Sequence, residues 1–318
     1  ADSMNKIRVI RSLNMHTFIQ LKKIPEEGEN IFAEAIKNDF GGKGGNSAIA
    51  LKKMGCDVMF YGCVGNDYNA RLIKKNLENY GIRTSDIKIS EKNNTGTAYI
   101  LLKKNGNNRI IVDPGANEDI DREDIRNLFS GEMGKCSLIL IQLEISIEAI
   151  KEIISVCNEK NIKLIIDAGP IRDIKAEDLR GAYIVSPNKS ELEALIGKKI
   201  TTIEEIEKGA EELLNKGIEN VLVKIGEHGS LFLNKKNRIY QKAYKVQAID
   251  TTGAGDSYMA GLVKALHKGN DIKEAMDYGS ICGAIAVTKI GAVSGLASED
   301  DVKEFFDKYS TKEEKCQI

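Results

Sequence analysis

Short apolar runs recur along the chain, and most are followed by a stretch with helical spacing. Ile7-Arg8-Val9-Ile10 reads as a strand, 48–55 as a helix closed by glycine, and Val58-Met59-Phe60-Tyr61 as the next strand. The rhythm continues with a strand at 138–143, a helix at 147–158, strands at 164–167 and 183–186, a helix at 203–216 and a strand at 221–225. Two more helices follow, one from Gly255 to about His267 and one from Ile272 to Val287. Strands that alternate with helices predict an α/β fold: a doubly wound, mostly parallel sheet with helices on both faces.

One region departs from this order. Residues 97–102 and 109–112 are two strand-like runs joined through Asn105-Gly106, a pair suited to a tight hairpin turn. With the strand-like stretches at 17–21 and 31–36 they predict a small extra β-sheet, either a lid that excludes water from a ligand or an ordinary edge hairpin. The expected organisation is one α/β domain over 4–310, with the small sheet drawn from about 14–38 and 96–113. Ala1-Asp2-Ser3 precede Met4, which reads as the natural start, and the charged tail at 311–318 is expected to fray.

Composition narrows the functions. The 318 residues carry 46 basic and 47 acidic side chains, a net charge of -1, without the basic block that would neutralise a row of phosphates. Nucleic acid is therefore not the expected partner. The apolar runs are strand-sized, far short of the ~20 residues that span a bilayer, so no membrane partner is expected either. Six scattered cysteines without a C-x-x-C pair point to reduced thiols in a cytoplasm, and the three histidines lack zinc spacing.

Three corners carry candidate chemistry. Phe40-Gly41-Gly42-Lys43-Gly44-Gly45-Asn46-Ser47 lets the backbone approach a ligand closely, while Asn46 offers a donor and an acceptor to a polyhydroxylated molecule. It is neither a Walker A loop nor a dinucleotide fingerprint. In Asp250-Thr251-Thr252-Gly253-Ala254-Gly255-Asp256, the residues Gly253, Ala254 and Gly255 present the unpaired amides of a helix start, an anion site suited to a phosphoryl group. Asp256 then suits the carboxylate that orients a hydroxyl nucleophile and accepts its proton, or else a plain helix cap. In Ser186-Pro187-Asn188-Lys189-Ser190-Glu191, Asn188 and Glu191 share one face at a helix entry. They could hold a hydrated magnesium ion, or simply cap the helix.

These corners together resemble the ribokinase-like, or PfkB, family of carbohydrate and nucleoside kinases, its ribokinase branch most closely. The GGKGGNSA segment with Gly55 and Gly65 after it, and DTTGAGDSYMAGLV near the C-terminus, match the two family motifs. Ser12-Leu13-Asn14, Pro114-Gly115-Ala116-Asn117, Gln142-Leu143-Glu144 and Ser186-Pro187-Asn188 match shorter segments in the same order, from about 7 to 306. The resemblance implies a three-layer α/β/α domain with a β lid that often serves as a dimer clasp, so a homodimer is expected. It also implies ATP-dependent phosphorylation of a sugar hydroxyl, with Asp256 as base and Gly253, Ala254 and Gly255 as the anion hole. Sugar contacts would fall on Asn14, His16, Gly42, Lys43, Asn46 and Glu144, and ATP contacts on Asn188, Lys224, Gly226, Gly229, Gly255 and Ser280. A monovalent cation, expected to be K+, would lie by Asp250, Thr252, Ala286, Lys289 and Gly291, although 292–295 lacks the family's common proline. Mg2+ and ATP complete the expected cofactors.

Two departures bear on substrate choice. His16 stands where the family's ribokinases carry an aspartate that accepts hydrogen bonds from sugar hydroxyls, and a neutral imidazole offers only one acceptor. Arg11 stands where glycine is usual, adding bulk and charge beside the first sugar-binding loop. The expected activity is transfer of the terminal phosphoryl group of ATP to a primary hydroxyl of a pentose, ribose as the first guess. Kinases of nucleosides, deoxyribose, a hexose or a sugar acid are the enzymatic alternatives. A catalytically silent sugar or nucleotide sensor is the alternative of another class.

Overall fold

The chain lays down fourteen strands and nine helices among the residues that this computed structural model describes, 5–39, 43–290 and 295–315. In chain order the strands begin with β1 (Ile7–Ile10), β2 (Asn14–Leu21), β3 (Ala35–Asp39), β4 (Val58–Tyr61), β5 (Cys63–Gly65), β6 (Lys88–Ser90) and β7 (Gly96–Lys103). The others are β8 (Asn108–Asp113), β9 (Leu138–Gln142), β10 (Lys163–Asp167), β11 (Ile184–Ser186), β12 (Asn220–Lys224), β13 (Ser230–Leu233) and β14 (Arg238–Gln241). Helices α1 (Lys43–Lys53), α2 (Tyr68–Asn79), α3 (Arg122–Ser130), α4 (Ile147–Glu159) and α5 (Lys189–Ile196) occupy the first two thirds. Then come α6 (Ile203–Asn215), α7 (Ala254–His267), α8 (Ile272–Val287) and α9 (Glu299–Lys315).

Eight strands form the main sheet in the order β14-β13-β12-β11-β10-β9-β1-β4. From β4 to β12 every pairing is parallel; β13 and β14 add an antiparallel hairpin at one edge. Side chains alternate between two cores, one on each face. Along β9, Ile139 and Ile141 join the core that contains residues of α3, α4, α5 and α6, while Leu138 and Leu140 join the one that contains α1, α2, α7 and α8. Both faces are covered, so the strand is apolar at every inner position rather than at alternate ones. Helices α7 and α8 are in close contact where glycines face each other. A methyl group at Gly279 would lie 2.9 Å from the Tyr258 carbonyl oxygen, and one at Gly261 would lie 2.8 Å from the Cys282 sulfur.

The small sheet, ordered β3-β2-β7-β8, is the lid foreseen from the sequence. Its β2–β7 pairing is parallel and its outer pairings are antiparallel. Three details differ from the sequence expectation. Strand β3 begins at Ala35 rather than 31, because the apolar residues of 31–33 form no regular structure and Phe32 is fully exposed. The glycine-rich corner enters its helix earlier, since Lys43, Gly44, Gly45, Asn46 and Ser47 are already in α1. Helix α9 continues to Lys315, so 311–315, expected to fray, extends a regular helix. Among the described residues, no helix is long and apolar enough to cross a membrane.

Candidate active site

The carboxyl ends of the parallel strands and the first turn of α7 meet at one edge of the main sheet, the place where open α/β folds bind ligands. Gly253 caps α7 in the left-handed conformation, φ 77°, and no side chain caps the helix. A side chain there would be strained, so the end stays bare. The Ala254 amide closes a turn onto the Thr251 carbonyl at 3.2 Å. At Gly255 the space is open, with no heavy atom within 4 Å of where a methyl group would sit.

Asp256, in the first turn of α7, lies beside a partner whose position the sequence did not reveal. Arg11, just beyond β1, is 2% exposed and donates through Nη2 to Asp256 Oδ1 at 3.0 Å. The same nitrogen stands 4.0 Å from Asp167 Oδ2 at the end of β10, and Lys224 at the end of β12 donates to Asp167 Oδ1 at 2.9 Å. Charges therefore alternate along the edge: Lys224, Asp167, Arg11, Asp256. Lys224, expected to reach ATP, is held here by Asp167, a residue the sequence reading did not select.

A second cluster surrounds Asn14 at the start of β2. Its Nδ2 donates to the Glu144 carboxylate, and its Oδ1 accepts from Asn117 Nδ2 at 2.8 Å. Asn117, fully buried, also accepts from the Leu13 amide at 2.9 Å and donates to the Pro114 carbonyl at 2.9 Å. It fixes Asn14 from below. The short Pro-Gly-Ala-Asn segment was the only sequence signal for it. Gly96 is tied to this network too, since a methyl group there would fall 2.1 Å from Asn14 Oδ1. His16 is two residues further along β2, half-buried, in register with Asp39 of β3 and Ala98 of β7.

Asn46 lies buried in α1 with its Oδ1 unpaired. Among the described residues, the buried side-chain atoms lacking a partner are Arg11 Nε and Nη1, Asn46 Oδ1, Ser47 Oγ, Ser257 Oγ and Arg8 Nε. Asn46 and Ser47 belong to the glycine-rich segment, Ser257 follows Asp256 in α7, and Arg11 is bonded to Asp256. Buried polar atoms in folded proteins are nearly always hydrogen-bonded, so these atoms are candidate ligand contacts.

Asn188 and Glu191 form a reciprocal cap on α5. Asn188 Oδ1 accepts from the Glu191 amide at 2.8 Å, and a Glu191 carboxylate oxygen accepts from the Asn188 amide at 2.9 Å. Asn188 bridges to Lys224 in the parallel sense, which brings the two expected nucleotide residues together. Gly226 and Gly229 form the turn between β12 and β13, both with positive φ, and Ser280 is buried on α8. Beside α7, the amides of Ile249 and Asp250 donate to the Val287 carbonyl at 2.7 and 3.2 Å, and Asp250 Oδ1 accepts from the Thr252 amide at 2.9 Å. Ala286 is buried next to this junction, while the Lys289 ammonium turns to Asp301 at 3.3 Å. Gly42 and Gly291 lie outside the described residues. Among the described residues, no group of three or more His, Cys, Asp or Glu side chains could hold a metal ion.

Residues 4–299 match the model of the pfkB family of carbohydrate kinases. A deoxyribokinase of Salmonella typhimurium is 31% identical over 94% of this chain and 98% of its own length. A ribokinase of Staphylococcus aureus is 31% identical over 94% and 99%. Among solved structures, a ribokinase of Thermotoga maritima superposes with a TM-score of 0.83 at 33% identity, covering 95% of this chain and 99% of its own. The Arabidopsis thaliana ribokinase, complexed with ribose and ATP, gives 0.85 at 27% identity, covering 95% and 98%. With two buried cores around a mostly parallel sheet, a small sheet beside it and both family motifs at its carboxyl edge, this chain belongs to the PfkB family of carbohydrate kinases, phosphotransferases that act on an alcohol group.

Proposed function

We propose that this chain transfers the terminal phosphoryl group of ATP to a primary hydroxyl of a pentose or closely related sugar, with Asp256 as general base. The observation that carries this reading is a carboxylate in the first turn of α7, next to a glycine-capped end with open space at Gly255. The acceptor hydroxyl gives its proton to Asp256 as its oxygen attacks phosphorus. Amides and positive dipole of the α7 start offset the charge on the phosphoryl oxygens. Asn14, braced by Asn117 and Glu144, orients the sugar, and Asn46 Oδ1 gains the donor it lacks. Gly42, Lys43 and His16 complete the sugar contacts.

Lys224, Gly226, Gly229, Gly255, Asn188 and Ser280 form the nucleotide side. Asn188 and Glu191 would hold a hydrated Mg2+ through water, because a carbonyl or carboxylate oxygen that accepts one amide bond retains a second lone pair. The metal would neutralise phosphate charge. A monovalent cation would sit by Asp250, Thr252, Ala286, Lys289 and Gly291. The exposed Ile36, Ile110, Ile111 and Val112 of the small sheet support a homodimer closed through the lid. The cysteines of the described residues are all free, in keeping with a cytoplasmic protein.

The test is ATP turnover with Mg2+ and K+ on ribose, 2-deoxyribose, fructose, a sugar acid and several nucleosides, beside Asp256→Asn. Turnover that the variant abolishes supports the reading. ATP binding without turnover of any acceptor would sink it in favour of a silent sensor, the reading to which a guanidinium on the base lends weight.

A further inference from the structure

Arg11 does more than fill space. Proton abstraction requires a carboxylate with access to a hydroxyl, and a cation bonded to that carboxylate makes it a weaker base. Yet the guanidinium is 2% exposed, 3.0 Å from Asp256, with Nε and Nη1 lacking any partner. Its other anion, Asp167, stands 4.0 Å away and is already paired with Lys224 at 2.9 Å. A buried cation that leaves two N–H groups unmatched is costly, and a ligand oxyanion that accepts from them would offset that cost.

We propose that the acceptor carries an oxyanion, a carboxylate or a phosphate ester, and that Arg11 recognises it. The inference rests on the kinase reading above. In the free chain Asp256 serves as the anion of Arg11. A seated acceptor supplies its own oxyanion, the guanidinium turns to it in the bidentate manner that suits planar oxyanions, and Asp256 is released for the hydroxyl. A neutral sugar leaves Arg11 on the base. The transfer then balances simply: the acceptor O–H breaks and its proton passes to Asp256, a new O–P bond forms, and the bond from phosphorus to the bridging oxygen breaks with its electron pair leaving on ADP.

The experiment compares D-ribose with D-ribonate and D-ribose 1-phosphate, as turnover with ATP and as binding by titration calorimetry, for the wild type, Arg11→Gly and Arg11→Gln. We expect the wild type to favour one oxyanion-bearing sugar roughly a hundredfold in kcat/KM. Both variants should bring that ratio close to one, with neutral ribose turned over faster than before. Ribonate ahead of the 1-phosphate would identify a carboxylate acceptor, and the reverse order a phosphate ester. Wild-type preference for ribose over both, or a ratio that neither variant changes, would overturn the proposal. Binding keeps the two readings apart: absence of turnover for every sugar defeats the kinase reading, while calorimetry still shows whether the oxyanion preference exists and depends on Arg11. Arg11→Gln retains polarity and size and covers the case in which Arg11→Gly does not fold.

Discussion

Helices α5 and α7 both begin at the carboxyl edge of the same sheet, yet their first turns are finished in opposite ways. At α5, Asn188 and Glu191 satisfy each other's backbone amides, and the end is complete without a ligand. At α7, Gly253 supplies no side chain and leaves the first turn open. Helices α2, α3, α4, α6 and α8 all follow the first pattern, capped by Asp67, Asp121, Ser146, Thr202 and Asp271. Six helix starts among the described residues are closed by a side chain and this one is bare, an arrangement that suits a binding site, and Asp256 lies in its first turn.

The contrast can be broken most strongly at Asp256. Asp256→Asn should lower kcat about 10³-fold, because general-base catalysis contributes in that range, and should lower the thermal midpoint as well, because buried Arg11 loses its anion. A wild-type rate in the variant would reduce Asp256 to another capping residue. Gly255→Ala sharpens the contrast differently. The methyl group meets nothing in the ligand-free chain and improves helix propensity, so chemical denaturation should show up to about 1 kcal/mol of added stability. The same methyl enters the space assigned to the phosphoryl group, and kcat/KM should fall at least about tenfold. Unchanged kinetics would place the transferring group elsewhere.

At α5 the expected order of effects is reversed. Asn188→Ala removes a cap and should cost about 1 kcal/mol in denaturant unfolding. Titration of Mg2+ against activity then separates cap from ligand: a raised half-saturation supports the water-mediated metal contact, and an unchanged one leaves Asn188 purely structural. The smallest effect is expected at α2. Burial raises the Asp67 carboxyl, but hydrogen bonds from the Thr95 amide and hydroxyl and from the Ala70 amide outweigh it, and the net direction is down. Its stabilisation is therefore present above the ordinary carboxylate range, around pH 4, and is lost as pH falls through the lowered folded value. Asp67→Asn should be less stable than wild type at pH 7 and converge with it once the pH falls below the lowered folded value, with kcat unaffected throughout.

Much of this was legible in the sequence, because it depends on neighbours in the chain. Helix α8 has the bounds its apolar spacing predicts, and the Asn188–Glu191 cap follows from two residues three apart. The edge hairpin β13–β14 was missed because Ser230–Leu233 follows β12 after a short turn, and nothing local distinguishes an antiparallel return from another parallel strand. Asn117 was visible only as part of a short motif, since its role is to join Leu13, Asn14 and Pro114 in space. Arg11 could be recognised as unusual, but its carboxylate partner could not, because no pattern of hydrophobic spacing predicts which charged group a buried guanidinium will meet.

That partner has a consequence for how the protein is made. Arg11 and Asp256 are separated by 245 positions, so a chain leaving the ribosome exposes the arginine long before the aspartate exists. Strands β1, β4, β9 and β10 can pair while the last third is still being synthesised, but Arg11 cannot meet Asp256 until α7 emerges. Under the proposed function, chains that end before α7 lack the general base, and the first competent molecule is a nearly finished one.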